Sequence, residues 1–216
     1  MGVWRFMRWL VVLAGLLLPT AGVASLPRTG DYLDVAYIQA LSKTLSPLRA
    51  ARIGARAHLP EMVSIQAQGS GRRFALSWGW HQGQFLAVLQ RNGVLRRDLA
   101  WGPAPDIAVR LVADSFCLTA PGAPEHCYRY VGNAQQFIAR HVLAGRYTDR
   151  QGALFVFGVD GAVHFPNYDA GYTLMLDQSA DPYDFFAIGT EGRFMAFRRE
   201  AATLTLYRVG KPGAAG

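Results

Sequence analysis

The segment "GRYTDRQGALFVFGVDGAVHF", residues 145–165, decides the fold class that we predict for this chain. Residues 153–159 are nearly all apolar, and a turn sequence, Asp160-Gly161, ends the run. Because side chains alternate across a strand, the even-numbered residues from Leu154 share one face and the odd-numbered residues from Phe155 share the other. Both faces are apolar. We therefore expect a strand that is covered on both sides, with helices from the N-terminal part of the chain as the cover.

Short alternating segments of the same kind fill most of the chain, separated by Gly, Asp, Asn or Pro. Asn92-Gly93, between two such segments, is the strongest short hairpin signal in the sequence. The pattern predicts a mainly β fold, an antiparallel barrel or sandwich of about ten or more strands over residues 59–209. It leaves open whether the strands form one barrel or two packed sheets.

The N-terminal part of the chain has a helical pattern instead. Apolar residues recur at a spacing of four at Leu33, Tyr37, Leu41 and Leu45. Thr29 or Asp31 could cap this helix, and Ser46 followed by Pro47 is typical of the start of a second one. We therefore predict a helical segment over residues 25–58, arranged as a hairpin packed against the sheet. Residues 133–143 predict a further helix.

The two ends of the chain predict processing and fraying. Residues 1–24 combine Arg5 and Arg8 with a short apolar stretch and small residues before Ser25, which is typical of a secretory signal peptide cleaved between Ala24 and Ser25. We expect a periplasmic or secreted protein with no transmembrane segment in the mature chain. Residues 210–216, "GKPGAAG", predict a flexible tail.

Residues 78–97 and 146–165 resemble each other, with Gln-Gly and Asn-Gly or Asp-Gly at matching places. This internal similarity suggests duplicated halves at about residues 63–131 and 143–209. Shared hairpin sequence preferences account for it equally well.

Cys117 and Cys127 flank a turn-rich stretch and are the two cysteines of the chain. In an exported protein this spacing predicts a disulfide that clamps a hairpin. A metal site with the neighbouring His126 lacks a fourth ligand, and no other metal-ligand spacing occurs. We therefore expect no metal and no cofactor.

The formal net charge is +7, which falls to +5 when the two arginines of residues 1–24 are removed. The basic residues are scattered, and no basic block is present. This pattern indicates a solvated surface and argues against a nucleic-acid partner, while it would favour an acidic protein partner.

Aromatic and histidine residues in or beside the predicted strands are the candidate ligand-binding residues. They are Trp78, Trp80, His81, Tyr147, His164 and Tyr172. On a concave β surface such side chains suit a small apolar or sugar-like ligand, although core packing explains them as well.

Catalytic signatures are missing. The sequence has no GxSxG element, no phosphate-binding loop and no dinucleotide fingerprint. Asp177, Asp181 and Asp184 could pair for acid–base work, with His164 nearby, but Asp-Pro and Ser at this place favour a turn. We assign no catalytic residue. A hydrolase-like enzyme is the least favoured class.

The segment "LAGRYTDRQGALFVFGVDGAVHF", followed by "YTLMLD", resembles the opening of a lipocalin-like (calycin-like) β-barrel. In that family a Gly-x-aromatic element opens a strand meander, and Gly145 and Tyr147 match it here, with Tyr147 in the place of the usual Trp. The resemblance covers residues 143–209. It implies a barrel that binds small apolar molecules or acts through its rim loops.

The function expected from the sequence is an exported cell-envelope binding protein that uses a β-barrel interior or rim. A protein-inhibitor or immunity-type envelope protein, acting through an exposed loop, is the alternative.

Overall fold

The computed structural model describes residues 27–54, 60–68, 71–77, 84–89, 93–97, 106–176, 183–189 and 193–209. The predicted signal peptide and tail lie outside these ranges. Within them the chain is mainly β, and every strand pair is antiparallel, which confirms the mainly antiparallel β character predicted from the sequence. None of the described helices combines the length and the apolar character needed to cross a bilayer.

The described residues form three helices and fifteen strands. The helices are α1 (Val35–Thr44), α2 (Pro47–Gly54) and α3 (Ala134–Val142). The first eight strands are β1 (Gly30–Asp34), β2 (Met62–Gln68), β3 (Gly71–Ser77), β4 (Gln84–Leu89), β5 (Val94–Arg97), β6 (Ile107–Val112), β7 (Ser115–Thr119) and β8 (His126–Gly132). The other seven are β9 (Gly145–Thr148), β10 (Leu154–Phe157), β11 (Ala162–Phe165), β12 (Tyr168–Leu174), β13 (Asp184–Ile188), β14 (Arg193–Glu200) and β15 (Thr203–Arg208).

The strands form two separate sheets. β1 to β8 close into a barrel in sequence order, with β1 pairing both β2 and β8. β9 to β15 form a seven-stranded sheet, also in sequence order, whose edge strands are β9 and β15. The helix α3 connects the two sheets. The two similar hairpins of the sequence, β4–β5 and β10–β11, therefore lie in different sheets.

Side chains fill the described part of the barrel interior. Tyr32, Phe74, Phe116 and Tyr128 are fully buried there. The Phe116 ring stacks on Tyr128 at 5.2 Å between centroids and meets Tyr32 at 5.0 Å. Rings at these distances leave no room for a ligand between them. They make a close-packed core of the kind found in small barrels.

A second core lies between the helices and the seven-stranded sheet. Its most deeply buried aromatic side chains from the sheet are Phe157, Phe186 and Phe197. The helices α1 and α3 contribute Tyr37, Leu41, Ile138 and Val142 among others. In β1, Tyr32 points into the barrel while its neighbour Leu33 belongs to the second core. One strand therefore supplies side chains to both cores.

The expectation that residues 153–159 are covered on both faces is wrong. Phe157 is buried at 2 % exposure and Phe155 packs against the second core, but Leu154 on the opposite face is 41 % exposed. The helices lie on the inner side of the sheet, where the phenylalanines already point. An exposed Leu on a strand is ordinary at a protein surface, so the apolar run did not require a second cover.

The predicted start of the first helix also differs. Gly30–Asp34 is a strand, and α1 begins after Asp34, whose Oδ1 accepts a hydrogen bond from the Ala36 N–H at 2.9 Å. Thr29 and Asp31 are not its caps. Leu33 fits the spacing of four although it is a strand residue. Its side chain reaches the same core as those of Tyr37 and Leu41.

The disulfide between Cys117 and Cys127 is present as predicted. The two residues are directly opposite each other in the β7–β8 hairpin. The bond therefore clamps the two strands on either side of residues 120–125.

Candidate functional site

Three of the six predicted ligand-binding residues, Trp78, Trp80 and His81, lie outside the described ranges. Tyr147 and Tyr172 come together around Phe157, with ring centroids at 6.0 and 5.6 Å from it. The Tyr147 hydroxyl donates to the Leu143 carbonyl at 2.9 Å. Burial raises the pKa of Tyr147. This tyrosine is a core residue and lines no described cavity.

His164 is separate from both tyrosines. Its side chain is 56 % exposed, and Nδ1 lies 2.7 Å from an oxygen of Asp169, the residue opposite it on β12. An exposed cross-strand pair of this kind stabilises a hairpin modestly. His164 therefore pairs with Asp169 and not with Asp184, which is the one expected carboxylate among the described residues.

Asp177 and Asp181 lie outside the described residues, whereas Asp184 is buried at the start of β13. Its Oδ1 accepts a hydrogen bond from the Leu48 N–H at 2.9 Å, in the first turn of α2. The Ser46 hydroxyl also contacts it and accepts from the Arg49 N–H at 3.2 Å. Burial raises the pKa of Asp184, although these hydrogen bonds oppose the rise. The carboxyl therefore holds a helix end to the second sheet.

An Asp–His pair that the sequence did not reveal joins the end of β1 to the start of β8. His126 Nδ1 lies 2.9 Å from Asp34 Oδ2, and both side chains are largely buried. Beside them the Tyr128 hydroxyl donates to the Pro60 carbonyl at 2.7 Å. Asp34 also caps α1, so this pair connects the helix to the barrel. The described residues place no serine, threonine or cysteine nucleophile in hydrogen-bond contact with His126.

Three residues of metal-ligating type lie close together, namely Cys117, Cys127 and Glu125. Both sulfurs are used in the disulfide, so they are not thiolate ligands. Glu125 instead accepts from Arg110, with Oε1 at 2.9 Å from Nε, and this contact lowers the pKa of Glu125. The group is therefore an ion pair beside a disulfide.

The strongest candidate site is a cleft of about 230 Å³ between the start of α3 and the β10–β11 turn. Its polar lining comes from both sides. The side chains of α3 and its cap that line the cleft are Asn133, Gln135 and Gln136. Asp160, Tyr172 and Thr173 line the opposite side. Of the residues predicted to bind ligand, Tyr172 is the described one that lies at this cleft.

Backbone and side-chain hydrogen bonds hold the walls of the cleft in place. Gln135 Nε2 donates to the Leu174 carbonyl at 3.1 Å, across the base of the cleft. The Tyr172 hydroxyl donates to the Gly158 carbonyl at 2.6 Å, and burial raises the pKa of Tyr172 to about 12. Gly161 has φ +88°, and a Cβ there would meet the Tyr172 carbonyl oxygen at 2.9 Å, so this position requires glycine.

Several polar atoms at the cleft remain available to a ligand. Asn133 uses Oδ1 to accept from the Gln136 N–H at 2.9 Å, which leaves its NH₂ group without a partner among the described residues. The Gln136 side chain makes no hydrogen bond within the described part of the chain. Asp160 uses Oδ1 to accept from the Ala162 N–H at 3.1 Å and has its second oxygen left. Two amides and a carboxylate offer both donors and acceptors to hydroxyl groups.

Only part of this site was recognisable from the sequence. Asn133 is recognisable as the cap of a predicted helix, and Asp160-Gly161 as a turn. Their proximity depends on how α3 packs on β12, which no local pattern encodes. Gln135 and Gln136 are adjacent polar residues at a helix start, and this was the signal in the sequence that could have indicated them.

The fold and the cleft define a two-sheet antiparallel β protein with a small polar cleft beside its connecting helix. Comparison with protein-family models, with curated proteins and with solved structures gives no match for this chain.

Proposed function

We propose that this chain is an exported cell-envelope binding protein that takes a small, sugar-like ligand at the α3 cleft. The observation that carries the proposal is the convergence of Asn133, Gln136 and Asp160 on a volume of about 230 Å³. That volume is below the ~300–1,000 Å³ of pockets for drug-sized ligands, which favours a ligand the size of a single sugar ring. The filled part of the barrel interior favours binding outside the barrel over binding inside it.

The predicted signal peptide and the disulfide support the cell-envelope part of the proposal, because disulfides persist in oxidising compartments. Cleavage between Ala24 and Ser25 is tested by the N-terminal sequence of the protein recovered from the periplasm or the medium. Recovery of the uncleaved chain from the cytoplasm would contradict it.

Binding is tested by calorimetric titration of the purified protein with a panel of neutral and amino monosaccharides. We expect saturable binding to at least one sugar, and a loss of at least tenfold in affinity in Gln136→Ala. Gln151→Ala, in the exposed β9–β10 turn, is the matched control and should bind normally. Absence of binding across the panel, or equal affinity in both variants, would refute the cleft as the site.

A second candidate is the protein-inhibitor or immunity-type function, which the disulfide-clamped β7–β8 hairpin favours. Pro121, Gly122, Pro124 and Glu125 between its strands are exposed, and the disulfide limits their motion. A rigid exposed loop binds a partner protein at low entropic cost. Stoichiometric capture of an envelope protein by the native chain, lost in Pro121→Ala/Pro124→Ala, would support this function over sugar binding.

A further inference from the structure

The seven-stranded sheet is one strand short of the closed barrel that precedes it in the same chain. β1 to β8 close with eight strands, whereas β9 to β15 end in two strands that do not pair with each other. In a sequential antiparallel sheet of seven strands the first and the last run in the same direction. β9 and β15 therefore cannot close the sheet by an antiparallel ladder, and an eighth strand between them could.

Both edge strands of this sheet contribute side chains to one core. Tyr147 on β9 and Leu204 and Leu206 on β15 all pack against the same core. On the inner side, the Arg199 guanidinium of β14 lies 5.9 Å from the centre of the Tyr147 ring.

The edges carry positive charge that the described residues do not neutralise. Arg146 on β9 and Arg208 on β15 are exposed and form no ion pair with a described residue. Arg199 Nη1 is a buried atom with no hydrogen-bond acceptor, although Nε donates to the Ala201 carbonyl at 3.3 Å. A buried N–H of a charged group without an acceptor costs free energy, and an incoming acceptor would remove that cost.

We propose that an extended acidic peptide of a partner protein binds between β9 and β15 as the eighth strand of this sheet. Its backbone pairs antiparallel with both edges, and a carboxylate side chain accepts from Arg199. Strand addition at an open edge is an established mode of peptide recognition, in which backbone hydrogen bonds supply affinity. The charge of the edges selects an acidic strand. The proposal does not depend on sugar binding at the α3 cleft.

The test uses a fluorescent eight-residue peptide of alternating Val and Glu, titrated into the purified full chain and followed by fluorescence anisotropy. We expect saturable binding that weakens at least tenfold when Lys replaces Glu in the peptide. N-methylation of alternate peptide amides should abolish it, because strand pairing needs the backbone N–H groups. Arg199→Ala should weaken binding of the Glu peptide at least tenfold, and Arg28→Ala, an exposed barrel arginine, should not.

Hydrogen exchange with the bound peptide provides a readout that does not depend on any variant folding correctly. Protection should increase in residues 145–148 and 203–208 and remain unchanged in the barrel. Failure to bind, or binding that N-methylation leaves intact, would overturn the proposal. Binding that appears only after residues 210–216 are removed would make the chain's own tail the occupant. A dimer that the peptide dissociates would make a second copy the occupant, and either result also overturns it.

Discussion

Aspartates of the sheets bind the starts of all three described helices. Asp34 accepts from Ala36 in α1, Asp184 from Leu48 in α2, and Asp31 from Ala134 in α3. Carboxylates suit these places, because the first turn of a helix has unsatisfied N–H groups and the positive end of the helix dipole. Each of these carboxyls therefore fixes where a helix begins and attaches that end to a strand.

Asp184 gives this arrangement a dependence on pH. Burial raises its pKa, so the native state binds the proton more tightly than the unfolded state does. The stability that its protonation contributes is fully present below the unfolded pKa of about 3.9 and is lost as pH rises through the higher native pKa.

Asp184→Asn should therefore gain stability relative to the wild type as the pH rises above about 4, since Asn stays neutral and its Oδ1 still accepts from Leu48. Asp184→Ala, which removes the acceptor, should be less stable than Asp184→Asn by about 1–2 kcal/mol at pH 7. Urea denaturation at several pH values measures both. A stability difference between wild type and Asp184→Asn that does not change with pH would contradict the assignment.

At the scale of elements, Asp31 joins three of them. Its carboxylate accepts from the Ser64 hydroxyl on β2 and, at 2.9 Å, from the Ala134 N–H of α3, while its own backbone belongs to β1. The wall of the α3 cleft depends on where this helix starts. Asp31 therefore positions the cleft without lining it.

Asp31→Ala should destabilise the protein by about 1–2 kcal/mol, because a buried helix end loses its acceptor. It should also lower the affinity of the α3 cleft for its ligand. Asp114→Ala is the control, since Asp114 is 74 % exposed in its pair with Arg28 and should change stability by less than about 1 kcal/mol. Equal effects of the two substitutions in a denaturation experiment would rule out this role for Asp31.

The β7–β8 hairpin provides a second test at this scale. The disulfide closes a loop with a sequence separation of 10. In the chain-entropy model its loss should cost about 2–3 kcal/mol. Cys117→Ala/Cys127→Ala and the reduced wild type should show similar losses in thermal unfolding. If reduction has no effect on the unfolding temperature, the clamp contributes little to the fold.

The elements that local sequence signals specify were predicted, and the features that depend on contacts between distant residues were missed. Asn92-Gly93 marked the β4–β5 hairpin, and Gly93 has the positive φ of +77° that such a turn uses. Cys117 and Cys127, and the α3 segment, were also recognisable. Strand β1 was not, because Leu33 satisfies the helix spacing and the strand alternation alike. The pair of Asp34 and His126 joins residues 92 positions apart, which no periodicity connects.

The candidate site was predicted less well than the fold. Tyr172 does line the cleft, but Tyr147 is a core residue and His164 pairs with a surface carboxylate. Aromatic residues in strands serve packing as readily as binding, so their type alone does not separate the two roles. The amides at the start of α3 became a candidate only through their position opposite Asp160.

At the scale of the whole molecule, the two sheets should unfold as one unit. Tyr32 and Leu33 are adjacent and fully buried in different cores, so β1 cannot leave one core without leaving the other. After the predicted cleavage removes Trp4 and Trp9, the remaining tryptophans are Trp78, Trp80 and Trp101, all in the part of the sequence that runs from β1 to β8. Tryptophan fluorescence therefore reports on the barrel, and circular dichroism reports on both sheets.

Leu33→Ala should destabilise the protein by about 2–5 kcal/mol. It should shift the unfolding transitions seen by fluorescence and by circular dichroism equally, although Leu33 belongs to the second core. Ile53→Ala, at a residue that is 56 % exposed, should shift neither by much. Urea denaturation followed by both probes makes the comparison. If the fluorescence transition of Leu33→Ala stays at the wild-type midpoint, the two sheets unfold independently.

The hydrogen bond from the Leu48 N–H to Asp184 joins residues that are 136 positions apart, so it can form only late in synthesis. A ribosome adding ~5–20 residues per second needs on the order of ten seconds to pass from α2 to β13. During that interval β13 and the strands after it are missing from the second core, so the apolar faces of α1 and α2 stay partly exposed until the last third of the chain emerges. A truncated chain that ends before β13 should aggregate or be degraded by proteases, even though it contains every strand of the barrel.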